Sequence, residues 1–192
     1  MDKHEEQRVL AIGALLDGPP ASLFSEPIEY IFADHFRQRS LCSVLEQIAD
    51  QTVVDHEMAS AALTFLEVDF ELHVIDEEED LFPLLRRRAR PEDAIENILG
   101  TLSQDHALDQ FEAETIMDVL TRLTSNAQET CTEKEAGRFK NFASNEKRHL
   151  ICENAIVLPL ARKRLTSVDL KNLGRRMAAR RGIIFRGVNN AH

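Results

Sequence analysis

Apolar positions in this chain recur three and four residues apart over four long stretches, the spacing of α-helices that each turn one face to a core. The stretches run at about 25–49, 56–88, 92–123 and 128–163. Turn signals separate them near Asp50 to Asp55, at Arg90-Pro91-Glu92-Asp93 and at Thr124-Ser125-Asn126. Links this short between helices this long favour antiparallel neighbours, so the pattern predicts an all-α, up-down-up-down four-helix bundle. A short helix at about 4–16 precedes the bundle and ends at Gly18-Pro19-Pro20. Thr166-Ser167-Val168-Asp169 reads as the N-cap region of a further helix that stops near Gly182. The expected organisation is one domain over 1–192, with the bundle at 25–163, an N-terminal helix and linker at 1–20, and a basic C-terminal helix and tail at 166–192.

Written out, the four apolar seams are Ile28, Ile31, His35, Cys42, Leu45; then Leu63, Leu66, Phe70, His73, Glu77, Leu81; then Ile95, Leu99, Leu102, His106, Ala113, Met117; and finally Phe139, Phe142, His149, Glu153, Ile156, Leu160. Each is interrupted near its middle by ionisable residues. The interruptions repeat: His73-Val-Ile-Asp-Glu77 matches His149-Leu-Ile-Cys-Glu153, and a proline follows six residues after each Glu, at Pro83 and Pro159. A shorter echo pairs Asp34-His35 with Asp105-His106. The repeating unit is a helical hairpin used twice.

A His and a Glu four apart on a helix point along one face and can reach a common ion. Burying an unpaired carboxylate or imidazole costs several kcal/mol, and six such groups would exceed a typical domain stability of about 5–15 kcal/mol, so something must compensate for them. Hydrogen bonds among the six groups are the metal-free alternative. Four imidazoles and two carboxylates would serve two metals, each taking two histidines, with Glu77 and Glu153 bridging and a water-derived oxo or hydroxo bridge completing about five ligands per metal. A nitrogen and oxygen set without thiolates suits iron or manganese better than a structural zinc site, with two iron ions as the expected cofactor and manganese or zinc as substitutes. The expected metal residues are His35, His73, Glu77, His106, His149 and Glu153.

These residues resemble those of the hemerythrin-like, or HHE cation-binding, domain family over about residues 25–163. The resemblance implies an up-down four-helix bundle around a carboxylate-bridged di-iron centre. It is of the four-His, two-Glu kind, similar to iron-centre repair proteins and to the iron-sensing hemerythrin domain of an F-box protein. The fifth histidine of the oxygen-carrying hemerythrins has no counterpart on the seams, and His56 lies at the start of its helix, far from His73. The expected ligands are small: oxygen, nitric oxide or peroxide, in iron-centre repair or a redox or nitrosative stress response. A binding module that signals iron or gas occupancy to a protein partner is the alternative. No acid-base or nucleophile constellation beyond the ligands points to a substrate, so catalyst, sensor and carrier stay open.

Around this set, Asp69 and Asn145 lie one turn before each motif histidine, and Asp34 and Asp105 immediately precede the other two, as candidates to orient the rings. Glu78, Glu79 and Asp80 read as a solvated acidic stretch. Cys42 and Cys152 read as small apolar fillers rather than redox thiols. Three scattered cysteines fit a reducing compartment, and no stretch approaches the roughly 20 apolar residues of a membrane span, so a cytoplasmic location is expected. The net charge of -10 is unevenly spread, because residues 162–192 carry nine Lys or Arg against the single Asp169. The acidic remainder argues against nucleic acid as a partner. The basic tail would dock on an acidic surface, its own or another protein's.

Overall fold

The computed structural model describes residues 3–126 and 129–184, and its helices arise where caps and periodicity coincide. Helix α1 is Lys3–Leu16, and α2, Pro27–Asp50, opens with proline in its first turn. Helix α3 covers 56–88, and the Asp55 carboxylate accepts from the amides of Glu57 and Met58 at its start. Helix α4 is Glu96–Ser125, and α5 covers 133–164, opened by a reciprocal cap between Thr132 and Glu135. Helix α6, Ser167–Arg180, is opened the same way by Thr166 and Asp169. No strand occurs among the described residues, and the four long helices form the all-α bundle that the periodicity predicts.

Two boundaries differ from expectation. Helix α4 starts at Glu96 rather than near 92, because Pro91–Asp93 winds as a single 3-10 turn and Ala94 then adopts a φ of 47°, which breaks the helix. Helix α5 starts at Glu133. The expected start at 128 lies outside the described residues, and the Thr132–Glu135 cap sets the observed one.

Neither α3 nor α5 is α-helical throughout. Helix α3 widens into π-helical turns at Phe65–Phe70 and Asp76–Leu81, and α5 does so at Glu153–Val157. The second and third of these are repeat equivalents, and each precedes a proline. A proline in mid-helix has no N–H to donate and crowds the carbonyl four residues back, so the chain widens by one residue there. The Phe82 amide donates to the Glu77 carbonyl and the Leu158 amide to the Glu153 carbonyl, five residues back in both copies. The extra residue advances the buried face of α5. Ile156, expected on the seam, is 40% exposed, whereas Val157, Leu158 and Ala161 are buried.

The core consists of two apolar clusters, one on either side of mid-bundle. Leu41, Leu45, Phe65, Phe70, Leu120 and Phe142 belong to one, and Ile31, Leu81, Phe82, Leu99, Leu158 and Met177 to the other. The polar residues of the seams lie between them. Helix α6 folds back onto the second cluster through Leu173, Met177 and Ala178. It ends with Gly182 at φ 68°, where the Gly182 amide donates to Ala179 and the Ile183 amide to Ala178, a glycine-terminated cap.

Much of the basic charge of α6 is answered within the chain. Arg180 pairs with Asp76 at 2.7 Å and with Asp80 at 2.5 Å, Arg181 with Asp76 at 2.7 Å, and Arg176 with Asp80 at 2.7 Å. Asp80 is therefore buried beneath arginines and not part of a solvated acidic stretch, although Glu79 is exposed. Residues 185–192 of the expected tail lie outside the described residues. No helix among those described is long and apolar enough to cross a membrane.

Close packing of α6 depends on Gly174. A Cβ there would stand 1.9 Å from the Phe24 carbonyl oxygen, a backbone atom in the 3-10 turn Ala21–Ser25. Gly-to-Ala inside a helix ordinarily stabilises by about 1 kcal/mol. At this position Gly174→Ala is expected to destabilise by about 1–3 kcal/mol through overpacking, seen as a lower urea midpoint with an unchanged slope.

Candidate metal centre

Four helices deliver one polar layer to the gap between the two apolar clusters. His35 comes from α2, His73 and Glu77 from α3, His106 from α4, and His149 and Glu153 from α5. All six side chains are buried, and both carboxylates have no exposed surface. Their Nε2 and carboxylate oxygens lie close together. Glu153 is 3.0 Å from His149 and 3.5 Å from His35, and Glu77 is 3.3 Å from His106, 3.4 Å from His73 and 3.7 Å from His35.

The arrangement divides into two overlapping groups: His35, His73, Glu77 and Glu153, and Glu77, His106, His149 and Glu153. Within each group one candidate ligand atom per residue lies within 4.8 Å of all the others, and both carboxylates belong to both groups. All four Glu77 and Glu153 oxygens, together with His35 Nε2, lack a hydrogen-bond partner. Buried oxygens of this kind are costly unless a cation neutralises them. Donor atoms about 2.0–2.2 Å from a common ion stand about 3–4 Å apart, so these spacings fit cation binding better than a hydrogen-bonded cluster. Cysteine is absent from both groups, which leaves nitrogen and oxygen donors.

Electrostatics point the same way. Burial acts to raise the Glu77 carboxyl, yet His73 and its neighbouring imidazoles hold it well below the ordinary range. Burial together with the Glu77 charge pushes Glu153 up to about 8. The two titrate as a pair, since both cannot ionise in one dry site without added positive charge. His106 is pushed up to about 10, as Glu77 and Glu78 outweigh its burial, and His73 also rises, whereas burial lowers His149. Protons on two imidazoles thus supply positive charge where cations would otherwise supply it.

The outer nitrogens are oriented by a second set of side chains related by the internal repeat. Asp34 Oδ2 accepts from His73 Nδ1 at 3.1 Å, and Arg37 donates to Asp34 Oδ1 at 2.9 Å. Burial alone would raise Asp34, but His73 and Arg37 hold it below its usual value. The corresponding Asp105 stands 3.8 Å from His149 Nδ1, beyond hydrogen-bonding reach, and that nitrogen has no partner. Asn154 Oδ1 pairs with His35 Nδ1 at 2.9 Å, and Glu78 Oε1 with His106 Nδ1 at 2.6 Å. Residues 78 and 154 are repeat equivalents, so each hairpin orients a histidine of the other. Phe82 stacks on His106 with ring centroids 5.7 Å apart.

Asp34 therefore contacts a ring, but that of His73 rather than of adjacent His35, because neighbours on a helix point about 100° apart. Asp69 instead accepts from Arg37 at 2.9 Å, and Asn145 accepts from Arg148, so neither reaches an imidazole. Glu78 is half-buried and bonded to His106 and Ser103, not solvated. Asn154 was not foreseen, although the match of 78 with 154 was available in the repeat. Gln38, Asp109 and Glu146 are buried polar residues one turn from His35, His106 and His149, and burial pushes Glu146 up to about 7 and Asp109 up to about 6. Cys42 is a buried filler, and burial also raises its thiol.

The family profile for the hemerythrin HHE cation binding domain matches residues 26–161. No curated protein matches the chain. Asp34→Asn, which keeps the shape but removes the charge behind His73, is expected to weaken cation affinity about 10–100-fold with helical content unchanged. Competition against a chelator, alongside circular dichroism, measures both.

Proposed function

The chain belongs to the hemerythrin HHE cation-binding domain family, and on that premise we propose that it holds two iron ions between its hairpins and uses them to bind or react with oxygen, nitric oxide or peroxide. The observation that carries this reading is the sharing of Glu77 and Glu153 between two groups that each contain two further imidazoles. In this reading His35 and His73 serve one ion, His106 and His149 the other, and both carboxylates serve both. Bound iron would supply an open coordination position and a one-electron change of oxidation state.

The protein's own contribution is to orient the donors and bury them. Asp34, Asn154 and Glu78 fix three ring tautomers by engaging Nδ1, which leaves each Nε2 lone pair facing inward. The apolar clusters above and below exclude bulk water. Protons on His73 and His106 must leave when cations bind, so loading is expected to release protons and to strengthen as pH rises through neutrality toward about 10, the value to which His106 is pushed.

Anaerobic titration of the apoprotein with ferrous iron is expected to reach two irons per chain. The Glu77→Ala, Glu153→Ala double variant is expected to bind fewer than one. A double variant that retains both metals would discard the bridging role. Catalytic turnover of peroxide, rather than stoichiometric binding of nitric oxide, would identify an enzyme of redox defence or iron-centre repair.

One observation favours a second reading, that of a sensor. Asp76, next to Glu77, is held by Arg180 of α6 and by Arg181 just after it, so a change at the metals has a direct mechanical path to the C-terminal helix and any protein that reads it. Amide exchange in α6 is then expected to change by about tenfold between the apo and iron-loaded forms. Identical exchange in both would leave α6 with a purely structural role.

A further inference from the structure

The two halves of the polar layer are not equally closed. On the His73 side, Asp34 and Arg37 are buried, and Arg37 also donates to the Leu15 carbonyl at 2.6 Å, sealing that flank under α1. On the His149 side the equivalent aspartate, Asp105, has a 45% exposed side chain, and a cavity of about 480 Å³ opens between α4 and α5. His149 forms its inner wall, Asp105 and Asp109 lie along it, and Leu108 and Arg148 border it nearby. Asp105 and Asp109, four apart on α4, share one face. The buried His149 Nδ1 is without a partner, so no hydrogen bond locks that ring as the other three are locked.

We propose that this cavity is the port through which divalent cations enter the centre, with Asp105 and Asp109 as the carboxylates that attract the ion and His149 as the ligand that receives it. The proposal rests on the two-metal reading above. Three features favour a cation over a neutral diatomic. Six water molecules of about 30 Å³ each fit within the cavity, so an ion can enter still hydrated, whereas a gas needs no space of that size. Two carboxylates line the cavity, half-exposed Asp105, 3.8 Å from His149 Nδ1, and buried Asp109. The third is an unlocked imidazole, His149, which can turn to accept the ion.

Stopped-flow uptake of ferrous iron by the full-length apoprotein under anaerobic conditions tests this. In Asp105→Asn, Asp109→Asn and the double variant, uptake is expected to slow by at least about tenfold at low salt and to lose much of its ionic-strength dependence, with the endpoint still two irons per chain. Leu108 is 65% exposed, so Leu108→Trp is tolerated by the fold and obstructs the port with both charges intact. It too is expected to slow uptake. Rates within about twofold of the unmodified protein in all variants would overturn the proposal, since steering by a charged cleft is worth 10-fold or more. Loss of stoichiometry in the aspartate variants would overturn it by making those residues holders of the metal. Slower nitric oxide binding by preloaded Leu108→Trp protein, with metal uptake unchanged, would reassign the cavity to the gas. Absence of iron uptake by the unmodified protein would remove the two-metal reading and the port with it.

Discussion

Two carboxylates, Glu77 and Glu153, face each other in a bundle interior from which water is excluded, with four imidazole nitrogens around them. Like charges at this range in a dry site repel strongly, and neither group has a hydrogen bond to offset its desolvation. The site is therefore stable only with added positive charge, as protons on His73 and His106 or as cations. Much of the surrounding structure supports that constraint. Apolar clusters above and below hold the four helices in register, and the π-helical turn at each motif glutamate keeps that side chain inward although a proline follows six residues later.

The outer hydrogen bonds turn this charge requirement into a geometry. Each hairpin supplies one side chain that orients a histidine of the other, Glu78 to His106 and Asn154 to His35, so neither hairpin completes the site alone. The exchange also differs between the two copies, because Glu78 carries a charge and Asn154 does not. Glu78 adds to the effect of Glu77 in pushing His106 up to about 10.

The added helices sharpen this inequality. Helix α1 supports the first hairpin through its Ala14 and Leu15 carbonyls, which accept from Arg37, and the C-terminal end of α6 supports it through Arg180 and Arg181 on Asp76. The seam between α4 and α5 keeps its cavity and an imidazole without an outer partner. One half of the centre is thus closed and the other opens onto a cavity. The basic C-terminal segment brings Arg176, Arg180 and Arg181 onto buried aspartates of α3.

Amphipathic spacing and helix caps are local properties, and so the four helices, their all-α class and the mid-helix positions of six ionisable residues were legible from the chain alone. The duplicated His-x-x-x-Glu added that those six belong to one arrangement, because a repeated hairpin brings equivalent faces together. Which side chain touches which ring was not legible. Asp34 reaches His73 rather than its neighbour His35, and Glu78 leaves its acidic run to hold His106, because those contacts depend on how helices distant in sequence pack. The seam shift from Ile156 to Val157 likewise follows from a widened turn that a fixed helical period cannot express. The unequal closure of the two halves is also tertiary. It arises where α1 and α6 happen to dock, and no periodicity within the bundle encodes that choice.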